Sequence, residues 1–376
     1  MFQHARKTLL AAVAFGLLAS AALAADTAKI TYDGYLDSSY NLDLNAKNGT
    51  FGLNQFGLNI NAADDSLGIK GVASLVRANY NNTGAGVNVE YIGIDQAYVD
   101  KSFFDGMLEA KIGRFYTLVG YEVVPAPKNA NETSSLLFNN EPVKHDGLAL
   151  TYNPLKSLSI SGWVANNVEQ LYDDSYSYVS FESADSYSKD LGAQASYTLG
   201  GLNLIGTYYF EPIKDDWHEL APTDKSVYDQ AHVLNFVSSY KASDSLSFAG
   251  EYLYRTIIPN SNYSGDYKMG LKDQGYALYS TYTLGQFSVS PRFAQYFYPD
   301  DDLYKAHPWW GQYMLDKQVY EQKNQYTLTF KYAFGSLTAY LEGNVYATPE
   351  HFTFTNGSSS NIGTQSNILI GASYQF

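Results

Sequence analysis

Five histidines follow residue 24, and they are the side chains most suited to acid–base chemistry near neutral pH. They are His145, His218, His232, His307 and His351. A hydrolytic site would need one of them beside a Ser, Asn or Asp side chain, or a pair at metal-binding spacing. None lies in a G-x-S-x-G or H-E-x-x-H motif. The sequence therefore predicts no catalytic residue.

Two acidic runs have the oxygen ligands that a hard cation such as Ca²⁺ prefers. They are Asp215-Asp216 and Asp300-Asp301-Asp302, and neither has the spacing of an EF-hand loop. Charge that is simply solvated on a loop explains such runs without a ligand. The chain contains no Cys, which excludes disulfides and thiolate metal sites. We expect neither a metal ion nor a cofactor.

The overall composition points away from an ordinary soluble domain. Tyr occurs 35 times and Phe 20 times, whereas charged residues make up only 16% of the chain; soluble domains carry about 25%. After residue 24 no segment approaches the ~20 continuous apolar residues of a membrane helix. This composition suits a wall with lipid on one side and water on the other.

The N-terminal 24 residues have the three parts of an export signal. His4, Arg6 and Lys7 precede the apolar run from Leu9 to Leu18, and Ala22-Leu23-Ala24 fits the rule for cleavage before Ala25. The alternative is an uncleaved anchor helix, for which the run is short. Without Arg6 and Lys7 the chain has 22 basic and 38 acidic residues, a net charge of −16. Such an acidic chain is not expected to bind nucleic acid.

The elements that carry these residues alternate between apolar and polar side chains. From Lys29 to Asn45 one face is mainly apolar and the other mainly hydrophilic, as in a strand with two different environments. The apolar face holds Ile30, Tyr32, Gly34, Leu36, Tyr40, Leu42 and Leu44. At about 15 residues this strand exceeds the usual length in soluble sheets and is long enough to cross a bilayer. The stretch from Ala231 to Tyr240 is mixed, and Pro291 sits inside another predicted strand.

Connections between the strands alternate between short and long. Seven short ones contain Gly, Asp, Asn or Ser, which favour turns; they lie near residues 63–66, 104–106, 153–156, 199–201, 242–244, 284–286 and 333–335. Eight longer polar segments lie between them, at 46–49, 80–86, 116–144, 166–188, 211–229, 258–272, 298–322 and 348–365. This predicts an all-β fold: a transmembrane antiparallel β-barrel of about 16 strands, with short periplasmic turns and long extracellular loops. A soluble β-sandwich or a β-solenoid would leave the strand length unexplained.

The chain ends on an alternating strand that finishes with an aromatic residue. Ile368, Ile370, Ala372, Tyr374 and Phe376 lie on its apolar face. This resembles the C-terminal signature of outer-membrane proteins that the barrel-assembly machinery recognises. The resemblance implies that Tyr374 and Phe376 form the assembly signal.

The segment from Gln96 to Tyr152 resembles the β-barrel porin-2 family (OmpL-like porins). The matching residues are Gln96-Ala97-Tyr98-Val99, Gly113-Arg114-Phe115, Gly120-Tyr121-Glu122-Val123, Pro127, Asn129, Ser135-Leu136-Leu137-Phe138, Pro142, His145 and Gly147. The segment departs from the family pattern at Leu118-Val119 and at Glu132-Thr133-Ser134. The resemblance implies an outer-membrane porin that passes small hydrophilic solutes and ions by passive diffusion. A barrel enzyme of the phospholipase or protease type, or a surface adhesin or structural barrel, is the alternative.

A 16-stranded wall is too wide for its side chains to fill, so the lumen must be narrowed by something else. We expect the long segment 116–144 to fold inward as a constriction, rather than to form an external lid. Its apolar run Ser135-Leu136-Leu137-Phe138 should pack against the inner wall. The predicted constriction residues are Arg114, Glu122, Lys128, Glu132, Glu141 and Lys144.

Strand parity predicts a further set of charged side chains on the inner wall. They are Asp33, Asp37, Lys111, Glu251, Arg255, Arg292, Lys331 and Glu342. A basic side chain facing lipid at the midplane costs about 2–4 kcal/mol, so the lumen is the favoured side. Such charges either set ion selectivity or merely solvate the wall. The excess of acidic residues favours a mild preference for cations.

The expected location is the Gram-negative outer membrane. The expected partners are its lipid and lipopolysaccharide, the barrel-assembly machinery and small hydrophilic solutes, with the protein either a monomer or a homotrimer.

Overall fold

The structure is a computed structural model that describes residues 29–82, 87–166, 189–212, 228–259, 271–297, 322–347, 352–353, 359–360 and 364–376. The first eight strands are β1 (Lys29–Asp43), β2 (Asn48–Asp64), β3 (Ile69–Asn82), β4 (Val87–Phe103), β5 (Leu108–Tyr116), β6 (Lys144–Leu155), β7 (Leu158–Asn166) and β8 (Lys189–Leu199). The next seven are β9 (Leu202–Pro212), β10 (Tyr228–Lys241), β11 (Leu246–Pro259), β12 (Leu271–Leu284), β13 (Phe287–Phe297), β14 (Gln322–Phe334) and β15 (Leu337–Ala347). The last three are β16 (Phe352–Thr353), β17 (Ser359–Ser360) and β18 (Gln365–Gln375). Two short 3-10 helices, Ala126–Lys128 and Phe138–Asn140, lie between β5 and β6.

Sixteen of these strands form one closed antiparallel barrel, and β16 and β17 form a separate two-stranded hairpin. Each barrel strand pairs with its neighbours in chain order, and β18 closes the ring by pairing with both β15 and β1. The predicted fold class is confirmed. In the described part of the chain, no helix is long and apolar enough to span a membrane.

The wall is apolar on its outer face and polar on its inner face, which is the reverse of a soluble β-barrel. On β14 the side chains of Gln325, Thr327 and Thr329 point inward and are buried, whereas Tyr326 and Leu328 point outward and are exposed. Large apolar side chains are exposed in the same way on the other strands. A ring with an apolar exterior and a polar interior is stable when lipid surrounds it, because burial in hydrocarbon then favours the outward side chains.

One detail differs from the sequence prediction, and a second, the place of Pro291 inside a strand, agrees with it. The segment 46–49 is not a long loop, because β1 and β2 are joined by a four-residue turn in which Asp43 Oδ1 accepts hydrogen bonds from the backbone of Asn45 and Ala46. Pro291 does lie within β13, where it pairs with β14. The register between β12 and β13 passes directly from Arg292 to Val289, so the proline, which has no N–H, faces a gap in that ladder.

The mixed stretch from Ala231 to Tyr240 lies within β10, whose register resolves its two faces. Ala231, Val233 and Val237 point inward and are buried, while Leu234 and Phe236 point outward. Both faces are therefore apolar at these positions. The interior beside β10 must be dry rather than filled with water.

Candidate functional site: the barrel interior

Residues 117–143, between β5 and β6, lie inside the barrel and hydrogen-bond to widely separated strands. Near the start of this segment, Gly120 N donates to Asn235 Oδ1 on β10 at 3.3 Å, and Tyr121 N donates to Glu251 Oε1 on β11 at 3.1 Å. Further along, Gln55 on β2 bonds the Val124 carbonyl at 3.1 Å and the Ala126 amide at 3.0 Å. Along the ring, eight strands separate β2 from β11 on one side and six on the other. The segment therefore crosses the lumen.

Polar side chains of the wall bind the returning half of this inner segment. The Glu342 carboxylate on β15 accepts hydrogen bonds from the Glu132 amide at 2.6 Å, the Thr133 amide at 2.9 Å and the Thr133 hydroxyl at 2.5 Å. Lys331 on β14 forms an ion pair with Glu132 at 2.6 Å. A carboxylate that accepts three donors from one short stretch of chain fixes the position of that stretch.

Arg292 on β13 binds the same stretch from the neighbouring wall. Its Nη1 donates to Glu122 Oε1 at 2.7 Å and to the Thr133 carbonyl at 2.5 Å, and its Nη2 donates to the Ser134 carbonyl at 3.2 Å. The guanidinium is completely buried, and the Glu122 side chain is nearly so. One arginine thus joins the first and second halves of the inner segment to each other and to the wall.

The apolar run of the inner segment packs against the inner wall. Ser135, Leu136, Leu137 and Phe138 are all buried, and Leu137 has no exposed surface. Leu136 and Leu137 belong to a continuous apolar cluster with side chains of β5 to β13. Its wall members are Phe115, Ala149, Trp163, Ala165, Tyr209, Ala231, Val233, Ala249, Leu253, Ile257, Ala277, Tyr279, Ala294 and Tyr296. One sector of the lumen is therefore filled by a hydrophobic core.

The register places the eight predicted wall residues on the inner face. Three of the four basic ones have defined partners: Arg255 pairs with Asp273 at 2.6 Å, Arg292 with Glu122, and Lys331 with Glu132. Lys111 lies 4.6 Å from the centre of the Tyr98 ring. Three of these four positive charges are therefore neutralised locally.

Two acidic wall residues have neutral partners. Asp33 accepts hydrogen bonds from Asn59 at 2.6 Å and Asn61 at 3.1 Å. Asp37 is buried and accepts from Asn54 at 2.7 Å and Tyr340 at 2.9 Å. Amide and hydroxyl donors stabilise a carboxylate without cancelling its charge, and among the described residues neither carboxylate forms an ion pair with a basic side chain.

Arg114 differs from its prediction as a constriction residue. Strand β5 turns Lys111 and Phe115 inward, so Arg114 shares the outward face with the exposed Ile112. Its guanidinium forms a two-point ion pair with Asp146, the residue directly opposite on β6, at 2.6 and 2.5 Å. The prediction for Arg114 fails because side chains three residues apart on a strand point to opposite faces.

The remaining predicted constriction residues lie in the inner segment or at its end. Lys128 is exposed, whereas Glu132 and Glu141 are enclosed by the wall. Burial raises the pKa of the Glu132 carboxyl to about 7, although Lys331 beside it favours the charged form. Lys144, the first residue of β6, pairs with Asp95.

Three further residues contact predicted site residues although the sequence pattern did not predict them. They are Asp95, Asp273 and Asn235. Asp95 sits where the register between β3 and β4 shifts, so simple alternation cannot assign its face. Asp273 follows from the register between β11 and β12, which places it opposite Arg255. Asn235 lies in the stretch whose faces the pattern left open.

Two of the five histidines lie among the described residues with their side-chain contacts. His145 is buried, its Nε2 lies 3.1 Å from the Thr117 hydroxyl, and its ring packs against Phe115, Trp163 and Tyr209. His232 hydrogen-bonds the Tyr208 hydroxyl at 2.7 Å. His218, His307, His351 and both acidic runs lie outside the described residues.

Comparison with known families and structures places this geometry among outer-membrane barrels. The family model described as "Putative beta-barrel porin-2, OmpL-like" matches residues 29–376. No curated protein matches the chain. The high-pH structure of Pseudomonas putida OprB is similar, with a TM-score of 0.64 and 12% identity over 93% of this chain and 94% of that one.

Two further structures share the same architecture. The outer-membrane channel DcaP of Acinetobacter baumannii has a TM-score of 0.61 and 13% identity, over 93% of this chain and 97% of that one. The in-vitro folded OmpT of Vibrio cholerae, in its trimer form, has a TM-score of 0.60 and 11% identity, over 93% of this chain and 100% of that one. At these identities the likeness establishes the fold.

Proposed function

Because this chain belongs to the beta-barrel porin-2 (OmpL-like) family and forms a channel for passive diffusion in the Gram-negative outer membrane, we propose that residues 117–143 are its constriction. The observation that carries this proposal is the path of the segment across the lumen, from Glu251 on β11 to Gln55 on β2. A segment held on opposite walls narrows the water-filled passage and limits the size of the solutes that pass.

We propose a mild preference for cations. Support comes from Asp33 and Asp37, whose carboxyl groups have only neutral hydrogen-bond donors as partners, while Arg255, Arg292 and Lys331 are paired with carboxylates. Fixed negative charge in a narrow pore with low-dielectric walls raises the local concentration of cations. Because salt screens the field over about 8–10 Å at physiological strength, the preference should weaken as ionic strength rises. Lys111 and Lys128 act in the opposite direction and keep the preference small.

Deletion of Lys128–Ser134 tests the constriction. This stretch contains the ion pair of Glu132 and the anchors at Thr133 and Ser134. Single-channel conductance in a planar bilayer should increase, after heat-modifiable mobility has shown that the barrel is folded. An unchanged conductance would mean that another part of the protein sets the width of the pore.

We propose that the protein is a channel without enzymatic activity. The alternatives are a barrel phospholipase or protease and a surface adhesin. Support comes from His145, which lies in an aromatic environment with Thr117 as its hydrogen-bond partner. Folded protein should show no hydrolysis of phospholipid or peptide substrates, and it should conduct ions. A closed barrel that hydrolyses lipid would reverse the assignment.

We propose a homotrimer and an exported precursor. The outward-facing ion pair between Arg114 and Asp146 supports association, because charge facing hydrocarbon is costly unless protein covers it. Unheated samples should migrate as trimers in gel electrophoresis, and the mature N-terminus should be Ala25. Lipopolysaccharide, the barrel-assembly machinery and small hydrophilic solutes complete the proposed set of partners.

A further inference from the structure

Two carboxyl groups meet where the inner segment begins and ends. Glu141, near the end of the segment, accepts a hydrogen bond from Asn235 Nδ2 at 3.1 Å. Glu251 on β11 accepts from the same nitrogen at 2.8 Å. The two carboxyl groups therefore lie on either side of one amide nitrogen, and both residues are at most 5% exposed.

The start of the inner segment joins the same cluster. The Tyr121 amide donates to Glu251, and the Gly120 amide donates to Asn235. Gly120 has a φ of +92°, and a Cβ built there would lie 2.0 Å from Glu141 Oε2. The glycine is therefore required both by its backbone conformation and by the space that the Glu141 carboxyl occupies. Both ends of the inner segment are held by one group of side chains.

The ionisable groups around this pair do not neutralise it. From the inner segment Glu122 and Tyr121 face it, from β12 Tyr279, and from β13 Arg292. Tyr279 donates to Glu251 Oε2 at 3.3 Å, while the hydrogen bonds of Arg292 go to Glu122 and to neighbouring oxygens. Within the described ranges, neither Lys nor Arg forms an ion pair with Glu141 or Glu251.

Two adjacent buried carboxyl groups without a cation cannot both carry charge at neutral pH. A single proton held between them converts a repulsive pair into a hydrogen-bonded one. Burial, followed by the charge of Glu251, raises the pKa of Glu141 well above its usual range. A group with a raised pKa in the folded state stabilises that state at low pH, and this contribution is lost as the pH rises through the raised value.

We propose that Glu141 and Glu251 share one proton and form a latch that holds the inner segment on the wall at neutral and acidic pH and releases it at alkaline pH. Release would free the Gly120 and Glu141 ends together, because both depend on the Asn235–Glu251 side of the cluster. The Arg292 and Glu342 contacts would keep the middle of the segment in place. The expected result is a wider and noisier channel at high pH.

This latch rests on the proposed constriction, and single-channel recordings between about pH 5 and 10 test it. Wild-type conductance should rise on the alkaline side of neutrality. In Glu141→Gln the amide reproduces the protonated carboxyl, so the rise should be lost and conductance should remain at its low-pH value. Asp244→Asn serves as the matched control, because it removes an exposed carboxylate from the turn between β10 and β11, away from the inner segment; its pH-dependent rise should persist.

A second variant fills the space beside Gly120 that the Glu141 carboxyl group occupies. Gly120→Val should displace Glu141 and give the high-pH conductance at all pH values, provided that heat-modifiable mobility confirms a folded barrel. A wild-type channel with no pH dependence, or an unchanged rise in Glu141→Gln, would overturn the latch. When the latch test gives such a result, the deletion of residues 128–134 separates two explanations. If the deletion widens the pore, the constriction stands and only the latch is wrong. If the deletion leaves the conductance unchanged, the proposed constriction is wrong as well.

Discussion

Gly34 and Phe376 exchange both of their backbone hydrogen bonds, at 2.9 and 3.0 Å, across the seam where β18 meets β1. The phenyl ring of Phe376 occupies the space of a side chain at position 34: a Cβ built on Gly34 would lie 2.5 Å from the ring and 2.6 Å from the Gly57 carbonyl oxygen. The final aromatic residue therefore fits over a glycine at the closing point of the barrel.

Replacement of Gly34 by Val should destabilise the seam, because the new side chain would displace the Phe376 ring or separate β1 from β2. The fraction of folded barrel, measured by heat-modifiable mobility after folding in detergent, should fall. Gly343→Ala on β15 is the matched control, since a Cβ there would meet nothing within 4 Å. Equal losses in both variants would mean that the seam has no special requirement for glycine.

Removal of Phe376 should have two separable effects. In cells it should lower the amount of barrel in the outer membrane, because the proposed assembly signal is lost. In detergent, without assembly machinery, it should still lower the unfolding temperature, because the seam loses its contact with Gly34. Gln375→Ala changes a side chain on the opposite face and should matter little in both assays. A defect in cells alone would assign Phe376 to recognition only.

Arg292→Met should release the inner segment and leave Glu122 buried without its cation. Removal of one partner of a buried ion pair costs about 3–5 kcal/mol. Stability to denaturant should fall accordingly, and the conductance should become larger and less uniform. The double variant Arg292→Met with Glu122→Gln should recover much of the stability, because no uncompensated charge remains. A double variant as unstable as the single one would contradict this account of the pair.

Asp33→Asn combined with Asp37→Asn should weaken the preference for cations. Both substitutions remove negative charge and preserve size, and each side chain now has neutral partners. Reversal potentials in asymmetric KCl should shift toward zero, with the largest shift at low salt, where screening is weakest. Anion selectivity in the wild-type protein would refute the proposed sign of the field.

The barrel itself could be predicted because its strands separate lipid on the outside from water on the inside. On β1, Ile30, Tyr32 and Leu36 point outward while Asp33 and Asp37 point inward, and this alternation is written directly in the sequence. The closing register of β18 against β1 follows from the same pattern. Where one face of a strand contacts lipid and the other contacts water, the alternation of residue types matches the alternation of side-chain direction.

The same pattern leaves the faces of β10 unassigned for a physical reason. Val233 and Leu253 face inward, yet they are apolar and fully or almost fully buried, because Leu136 and Leu137 of the inner segment cover that part of the wall. Alternation assumes water inside the barrel, and a dry sector removes the contrast between faces. The partners of the inner segment, such as Asn235 and Glu342, depend on a path across the lumen that no local pattern encodes.

The anchors of the inner segment come from strands spread around the whole ring, and this imposes an order on folding. Gln55 belongs to β2, Asn235 to β10 and Glu342 to β15, so these side chains surround a common space only once the ring has closed. Contacts between such distant parts of a chain form late, because the loops between them must first be closed. We therefore expect residues 117–143 to dock after the ring has closed, so that a wider barrel precedes the constricted one.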